Sequence, residues 1–181
     1  MATMKAALHD GKGSMRITDV ARPVLGPGDA LIRIRSAGIC GSDLLNYAGR
    51  SIPEEIPGGH EEAGEIMEVG DGVDPARIGQ RVAVEGAAHG LACLKCWYCR
   101  TGQYFLCADL ATDEGGSFAE YMKRGAVGCY PLPDTVSWEE GALVEPLSVA
   151  VHSVRRGEMS GGETVVVLGA GTIGLCAVAA A

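Results

Sequence analysis

Short apolar runs broken by glycine and proline fill the first 132 residues. Residues 4–9 and 15–20 read as two strands joined by the Asp10-Gly11-Lys12-Gly13 turn. Residues 31–35 alternate, with Ile32 and Ile34 on one face and Arg33 and Arg35 on the other. Further strands are expected over 64–69 and 81–85, separated by Asp71-Gly72, and over 118–123 and 127–132. Ser42 is placed to cap a short helix through Ala48, with Gly49 as its stop. So many short strands predict a β-barrel or sandwich.

The pattern changes after Pro133. Ser137-x-x-Glu140 is a capping box, and its helix should run to about Val144. Pro146 suits the first position of a second helix ending near Arg156, with Gly157 beyond it. Gly161-Gly162 is a turn, and the apolar, β-branched run 164–168 carries the signature of a buried parallel strand. Gly169-Ala170-Gly171-Thr172-Ile173-Gly174 and an Ala-rich helix follow. Glycines spaced G-x-G-x-x-G between strand and helix are the dinucleotide-binding fingerprint. Gly169 makes the tight turn, Gly171 lets the backbone approach a pyrophosphate, and Gly174 lets helix and strand pack. The ribose-binding acid belongs about twenty residues further on. That position falls beyond residue 181, so the sequence reads as cut just inside a Rossmann domain. Residues 164–181 also carry no charge, at the lower limit of length for a membrane span. The glycines, the strand-forming start and the lack of basic flanks favour the nucleotide turn.

Composition narrows the function classes. With 15 Lys and Arg against 23 Asp and Glu the net charge is −8, which disfavours nucleic acid and anionic membranes as partners. An apolar fraction of 47% excludes general disorder. The N-terminus lacks the apolar run of a signal peptide, so a reducing, cytoplasmic home is the default.

In that setting Cys93, Cys96, Cys99 and Cys107, a C-x2-C-x2-C-x7-C run, read as four thiolates around one structural zinc. A full tetrahedral shell leaves no position for a reacting group. The residues between show no helix or strand period, so metal should supply much of the local folding energy. Two disulfides would need an oxidising compartment.

A second, looser set lies upstream and downstream. Cys40 ends a strand between Gly38 and Gly41, and His60, Glu61 and Glu62 stand among Gly58, Gly59 and Gly64. Glu145 enters at a helix start, where the dipole favours its ionised form. A Cys, a His and a carboxylate would make three mixed ligands with an open fourth position. Taken singly, a cysteine is usually buried filler and a histidine usually a satisfied structural residue.

Stretches 38–43, 58–64, the four-cysteine lobe, 115–121 and 169–174 occur in an order that resembles the zinc-dependent medium-chain alcohol dehydrogenases over essentially the whole chain. Glu145-Pro146-Leu147-Ser148-Val149-Ala150-Val151-His152 is similar to the polyol (sorbitol-type) branch, with threonine dehydrogenases as the nearest competitor. The resemblance implies a mainly β fold with some α. A GroES-like catalytic domain, a distorted β-barrel, would span 1–157 with a structural zinc lobe at 90–110, and 158–181 would begin an NAD(P)-binding Rossmann domain. It implies one catalytic and one structural Zn2+, and NAD or NADP in the complete protein.

Residue by residue, Cys40 and His60 match catalytic zinc ligands. Glu61 matches the third ligand of polyol enzymes, with Glu62 as its adjacent competitor. Glu145 matches a carboxylate that reaches the metal directly or through water. Ser42 matches the hydroxyl that takes the substrate proton, and Asp43 the acid that orients the His60 ring. Gly169, Gly171, Thr172, Ile173 and Gly174 match the cofactor turn. Zinc would act as a Lewis acid on the alcohol oxygen, and hydride would pass to the nicotinamide. Leu45 stands where many relatives carry a relay histidine. The implied substrate is a small alcohol or polyol, and the implied assembly a homo-oligomer, dimer or tetramer. Because family members are longer, a zinc-binding fragment without turnover is the rival reading. Cys129 and Cys176 read as small buried hydrophobes. His9, His89 and His152 read as structural or exposed, and Tyr47 as packing or pocket lining.

Overall fold

The computed structural model describes residues 2–50, 56–85, 89–111 and 115–181. β1 (Thr3–His9) and β2 (Met15–Ala21) pair antiparallel from Thr3↔Ala21 to His9↔Met15, as the turn at 10–13 predicts. β3 (Asp29–Ala37), β4 (Glu61–Val69), β5 (Arg81–Glu85), β6 (Tyr121–Gly125) and β7 (Cys129–Pro131) form a second antiparallel sheet, in the order β6-β3-β4-β5-β7. β1 joins this sheet just before β6: the Ala7 N–H donates to the Phe118 carbonyl at 2.8 Å, and Ala6 bridges Ala119. The body is therefore mainly β, as expected. Among the described residues its ladder stays open, with no pairing from β7 back to β2.

Ile32, Ile66, Val82, Val84 and Met122 form the centre of the core. The alternation in β3 holds for the arginines, since Arg33 and Arg35 are exposed while Ile32 is buried. Leu31 is buried as well, so β3 is covered on both faces.

Several boundaries differ from the sequence expectation. β4 begins at Glu61 rather than 64, because Glu61 and Glu62 find ladder partners in Glu85 and Val84. Tertiary pairing here overrides the weak strand preference of glutamate. β6 begins at Tyr121 rather than 118, because the Gly116 and Phe118 N–H groups bond back to the Pro57 and Gly58 carbonyls at 2.6 and 2.9 Å. A 3-10 turn, Ala126–Gly128, takes the start of the strand expected from 127.

The short helix α1 (Gly41–Leu45) is capped by Cys40, not Ser42, and a π-type turn at Asn46–Arg50 follows it. The Asp43 carboxylate accepts the Cys40 N–H at 2.7 Å, which moves the helix start two residues back from Ser42. The capping box at α3 (Trp138–Ala142) is formed in both directions, 3.1 Å from Glu140 N–H to Ser137 Oγ and 2.7 Å from Ser137 N–H to Glu140. α4 (Val144–Arg156) follows directly, so Pro146 is its third residue rather than its first. It still lies in the first turn, where no intrahelical donor is required. The lobe holds a short helix α2 (Trp97–Arg100) and a 3-10 turn, Tyr104–Leu106, where no periodicity was visible.

The largest correction concerns 164–168, which is not a strand and is not buried: Val166 is 76% and Leu168 93% exposed. A parallel strand takes its bonds from neighbours, and no described strand lies beside it. α5 (Thr172–Ala180) packs on α4 instead. Cys129 is buried as expected, Cys176 is half-buried, and His152 is exposed. His9 is buried, its Nδ1 accepting the Gly11 N–H at 3.0 Å, and the Tyr47 hydroxyl donates to the Gly13 carbonyl. Among the described residues no helix is long and apolar enough to cross a membrane.

Candidate functional site

Two ligand clusters form. In the first, the sulfurs of Cys93, Cys96, Cys99 and Cys107 all lie within 4.8 Å of one another. Cys96 Sγ is 3.5 Å and Cys93 Sγ 3.9 Å from Cys99 Sγ. Four sulfurs at zinc's bond length of about 2.3 Å would be spaced about 3.8 Å apart, whereas a disulfide needs about 2.05 Å. All seven cysteines are free thiols, so the disulfide alternative does not hold here.

The backbone prepares this cluster for a cation. The Cys96 N–H donates to Cys93 Sγ at 3.4 Å, and the Cys93 and Asp109 N–H groups donate to Cys107 Sγ at 3.3 and 3.4 Å. N–H donors, led by that of Lys95, draw the Cys93 thiol below its ordinary range, and donors led by Ala108 bring Cys96 down to about 6. Burial first, and then the neighbouring thiols, push Cys99 up to about 12. Ionising all four together requires a positive centre among them, and the donor set fits zinc.

In the second cluster, one ligand atom each from Cys40, His60 and Glu61 lie within 4.8 Å of one another. Two elements converge to make it: Cys40 caps α1, His60 precedes β4, and Glu61 opens β4. The Gly38 N–H donates to the Glu61 carbonyl at 2.7 Å and locks the two chains side by side. A Cβ at 38 would run into the Glu61 carboxylate and lie 3.0 Å from Glu61 Cβ, so glycine there leaves the space that this side chain fills. Asp43 links the cluster's halves. One of its oxygens holds the Cys40 N–H, and the other stands 3.8 Å from His60 Nδ1, an ion-pair rather than a hydrogen-bond distance. Three mixed N, S and O donors with a partly open ring fit a zinc ion that keeps one position free.

The other expected site residues surround this trio. Glu145 lies outside the 4.8 Å set but close enough to feel it. Burial raises its carboxyl pKa, the adjacent His60 opposes that shift, and Glu61 and Glu85 add to it. Ser42 is exposed within α1. Glu62, one residue from Glu61, is fully buried in the next position of the strand; successive strand residues point to opposite faces, which separates it from the trio. A largely apolar cavity of about 730 Å3, lined by His9, Ile17, Asp43, Leu44, Tyr47 and Phe118 among others, adjoins the site at Asp43, but none of the trio lines it. Tyr47 therefore both packs and lines a cavity.

Two contributors escaped the sequence reading. Glu85 stands directly opposite Glu61 in the β4–β5 ladder, a relation that only the register reveals. In the sequence Gly38 is only a small neighbour of Cys40, and its contact with Glu61 has no local signature.

At the dinucleotide-type turn, Gly169, Gly171, Thr172, Ile173 and Gly174 line one hollow with Gly41 of α1. A Cβ on Gly174 would lie 2.8 Å from the Gly169 carbonyl carbon, so the turn folds on itself as the third glycine of the fingerprint requires. The donors at the start of α5 and the bare backbone of the turn fit a pyrophosphate.

Comparison with known proteins gives the same picture. The family model "Alcohol dehydrogenase GroES-like domain" matches residues 26–134. Sorbitol dehydrogenase of Bacillus subtilis (strain 168) is 40% identical over 187 residues, covering 98% of this chain and 52% of that protein. The structure of 2R,3R-butanediol dehydrogenase from Bacillus subtilis matches with a TM-score of 0.78 at 36% identity, over 98% of this chain and 54% of that one. A candidate zinc-binding dehydrogenase from Sinorhizobium meliloti 1021, bound to NADP, matches with a TM-score of 0.80 at 32% identity, over 98% and 52%. The chain spans about half the length of the curated relatives it matches.

Proposed function

The chain belongs to the alcohol dehydrogenase family with a GroES-like domain, and from that membership we propose that it carries the metal-binding part of a zinc-dependent dehydrogenase for polyols or related secondary alcohols. The observation that carries this reading is the convergence of Cys40, His60 and Glu61, a three-ligand set separate from the closed four-thiol set. Residues 1–157 act as the catalytic unit, with the lobe at 90–110, and 158–181 open the nucleotide-binding unit.

In this reading Cys40, His60 and Glu61 hold the catalytic ion, and Cys93, Cys96, Cys99 and Cys107 hold the structural one. Bound zinc supplies a Lewis acid for the alcohol oxygen, and NAD or NADP supplies the hydride acceptor. Asp43 keeps the His60 ring turned toward its partners and fixes the Cys40 backbone. Ser42, exposed within α1, would take the hydroxyl proton outward. Glu145, with its raised pKa, holds or exchanges a proton beside the ligands. Gly169, Gly171 and Gly174 bring bare backbone to the cofactor pyrophosphate, and Thr172 and Ile173 begin the helix that faces it.

The test uses sorbitol, L-threonine and 2,3-butanediol with NAD+ or NADP+. The substrates are offered to the chain alone and to the chain joined to the remaining half of the matched Bacillus subtilis sorbitol dehydrogenase. Polyol oxidation by the joined protein, abolished by Cys40→Ser and by chelation, is expected. Preference for threonine would move the protein to that branch. Two bound zinc ions without oxidation of any alcohol by the joined protein would establish the non-catalytic zinc-binding reading instead.

A further inference from the structure

We propose that His89 is a positioning residue that ties the four-cysteine lobe to the Cys40–His60–Glu61 centre; this rests on reading that trio as a metal site. Each of its contacts faces a different part of the molecule. The His89 ring stacks on Tyr104 of the lobe, with centroids 4.3 Å apart and planes 25° from parallel. Its Nδ1 lies 2.9 Å from the Tyr130 hydroxyl on β7, at the edge of the sheet. Its backbone N–H donates to Glu85 Oε2 at 2.5 Å, and the next N–H, of Gly90, donates to the same oxygen at 3.2 Å. The 3-10 turn His89–Leu91 that carries these groups packs on the Ala126–Gly128 turn.

Glu85 conveys the restraint to the metal centre. It is the cross-strand partner of Glu61, and directly opposed residues of an antiparallel pair share a face. Two carboxylates in that relation repel. The two N–H donors draw the Glu85 charge toward the base of the lobe and leave Glu61 free to face Cys40 and His60. Without the ring anchor the 89–91 turn shifts, its two N–H donors move on Glu85 Oε2, and the changed Glu85 position bears on Glu61 across the ladder. The lobe thus contributes to catalytic metal affinity without supplying a ligand.

The test is a two-site Co2+ titration of the full chain against a chelator, since a four-thiolate site absorbs more strongly than a one-thiolate site and the two can be read separately. His89→Ala is expected to weaken the one-thiolate site about tenfold, the scale of disturbed supporting contacts around metals, with the four-thiolate site changed less than about twofold and the melting temperature kept. Tyr130→Phe, which removes one hydroxyl and keeps the fold, should weaken the one-thiolate site in the same direction by a smaller factor. In a Glu85→Gln background the His89→Ala effect should vanish, because both act through one contact. An unaltered one-thiolate affinity in both His89→Ala and Tyr130→Phe, or an undiminished His89→Ala effect beside Glu85→Gln, would overturn the proposal while leaving the metal site intact. Absence of any one-thiolate cobalt band in the unsubstituted chain would instead remove the metal-site reading, and the proposal with it.

Discussion

Gly38→Ala is the sharpest single perturbation of the candidate catalytic centre. The added Cβ would collide with the Glu61 carboxylate and lie 3.0 Å from Glu61 Cβ and 3.3 Å from Glu61 Cδ. Comfortable carbon contacts begin near about 3.5 Å. The carboxylate can swing aside, but its Cβ is fixed to β4, and the 2.7 Å hydrogen bond from Gly38 to the Glu61 carbonyl prevents the strands from parting freely. The variant therefore faces two costs. Overpacking beside a buried strand costs about 1–3 kcal/mol, or roughly 2–12 °C of melting temperature for a domain of this size. Displacing the acid from its convergence with Cys40 and His60 should weaken metal at that site roughly 10- to 100-fold. Differential scanning fluorimetry reports the first, and chelator competition with Zn2+ or Co2+ the second. The four-cysteine lobe should keep its affinity, because Gly38 is not part of it. A Gly38→Ala protein with native melting and native affinity at the Cys40 site would refute the close-approach argument. A drop in melting alone, with affinity kept, would show that Glu61 is not a ligand.

Further outcomes follow from the same geometry. Glu61→Gln should weaken metal at the Cys40 site tenfold or more by equilibrium dialysis, whereas Glu62→Gln should act on stability, because Glu62 is buried at the adjacent strand position. Cys107→Ser should remove one metal equivalent and open 90–110 to proteases, leaving the Cys40 site loaded, as mass spectrometry can establish. Metal binding to the lobe displaces thiol protons, so its affinity should fall on acidification and fall more steeply below about pH 6, where Cys96 also takes up a proton. Glu145 has a raised pKa in the folded chain. Its favourable contribution to the metal-free protein is thus complete below the unfolded carboxyl pKa and is lost as pH rises through the folded one. Glu145→Gln should accordingly raise the melting temperature of metal-free protein at neutral pH and leave it unchanged near about pH 4.

Residue order alone decides the features that local rules control. The β1–β2 hairpin follows from its glycine turn, the Ser137–Glu140 capping box from two residues three apart, and the four-thiol lobe from its spacing. In each case the interacting groups are close along the chain, so composition and spacing fix the geometry. Residues 164–168 show the opposite limit: five residues of strand-like composition form no strand, because strand structure resides in hydrogen bonds to neighbours that the segment itself does not contain. The Cys40–His60–Glu61 cluster lies between these cases. Its residue types were legible as a family resemblance, but their convergence depends on the tertiary fold. Cys40 and His60 meet because β3 and β4 pair, Glu61 rather than Glu62 faces them because strand residues alternate, and Gly38 leaves the space that Glu61 fills. Glu85 became a neighbour of that centre only through the β4–β5 register, and a one-residue slip would have turned it to the other face.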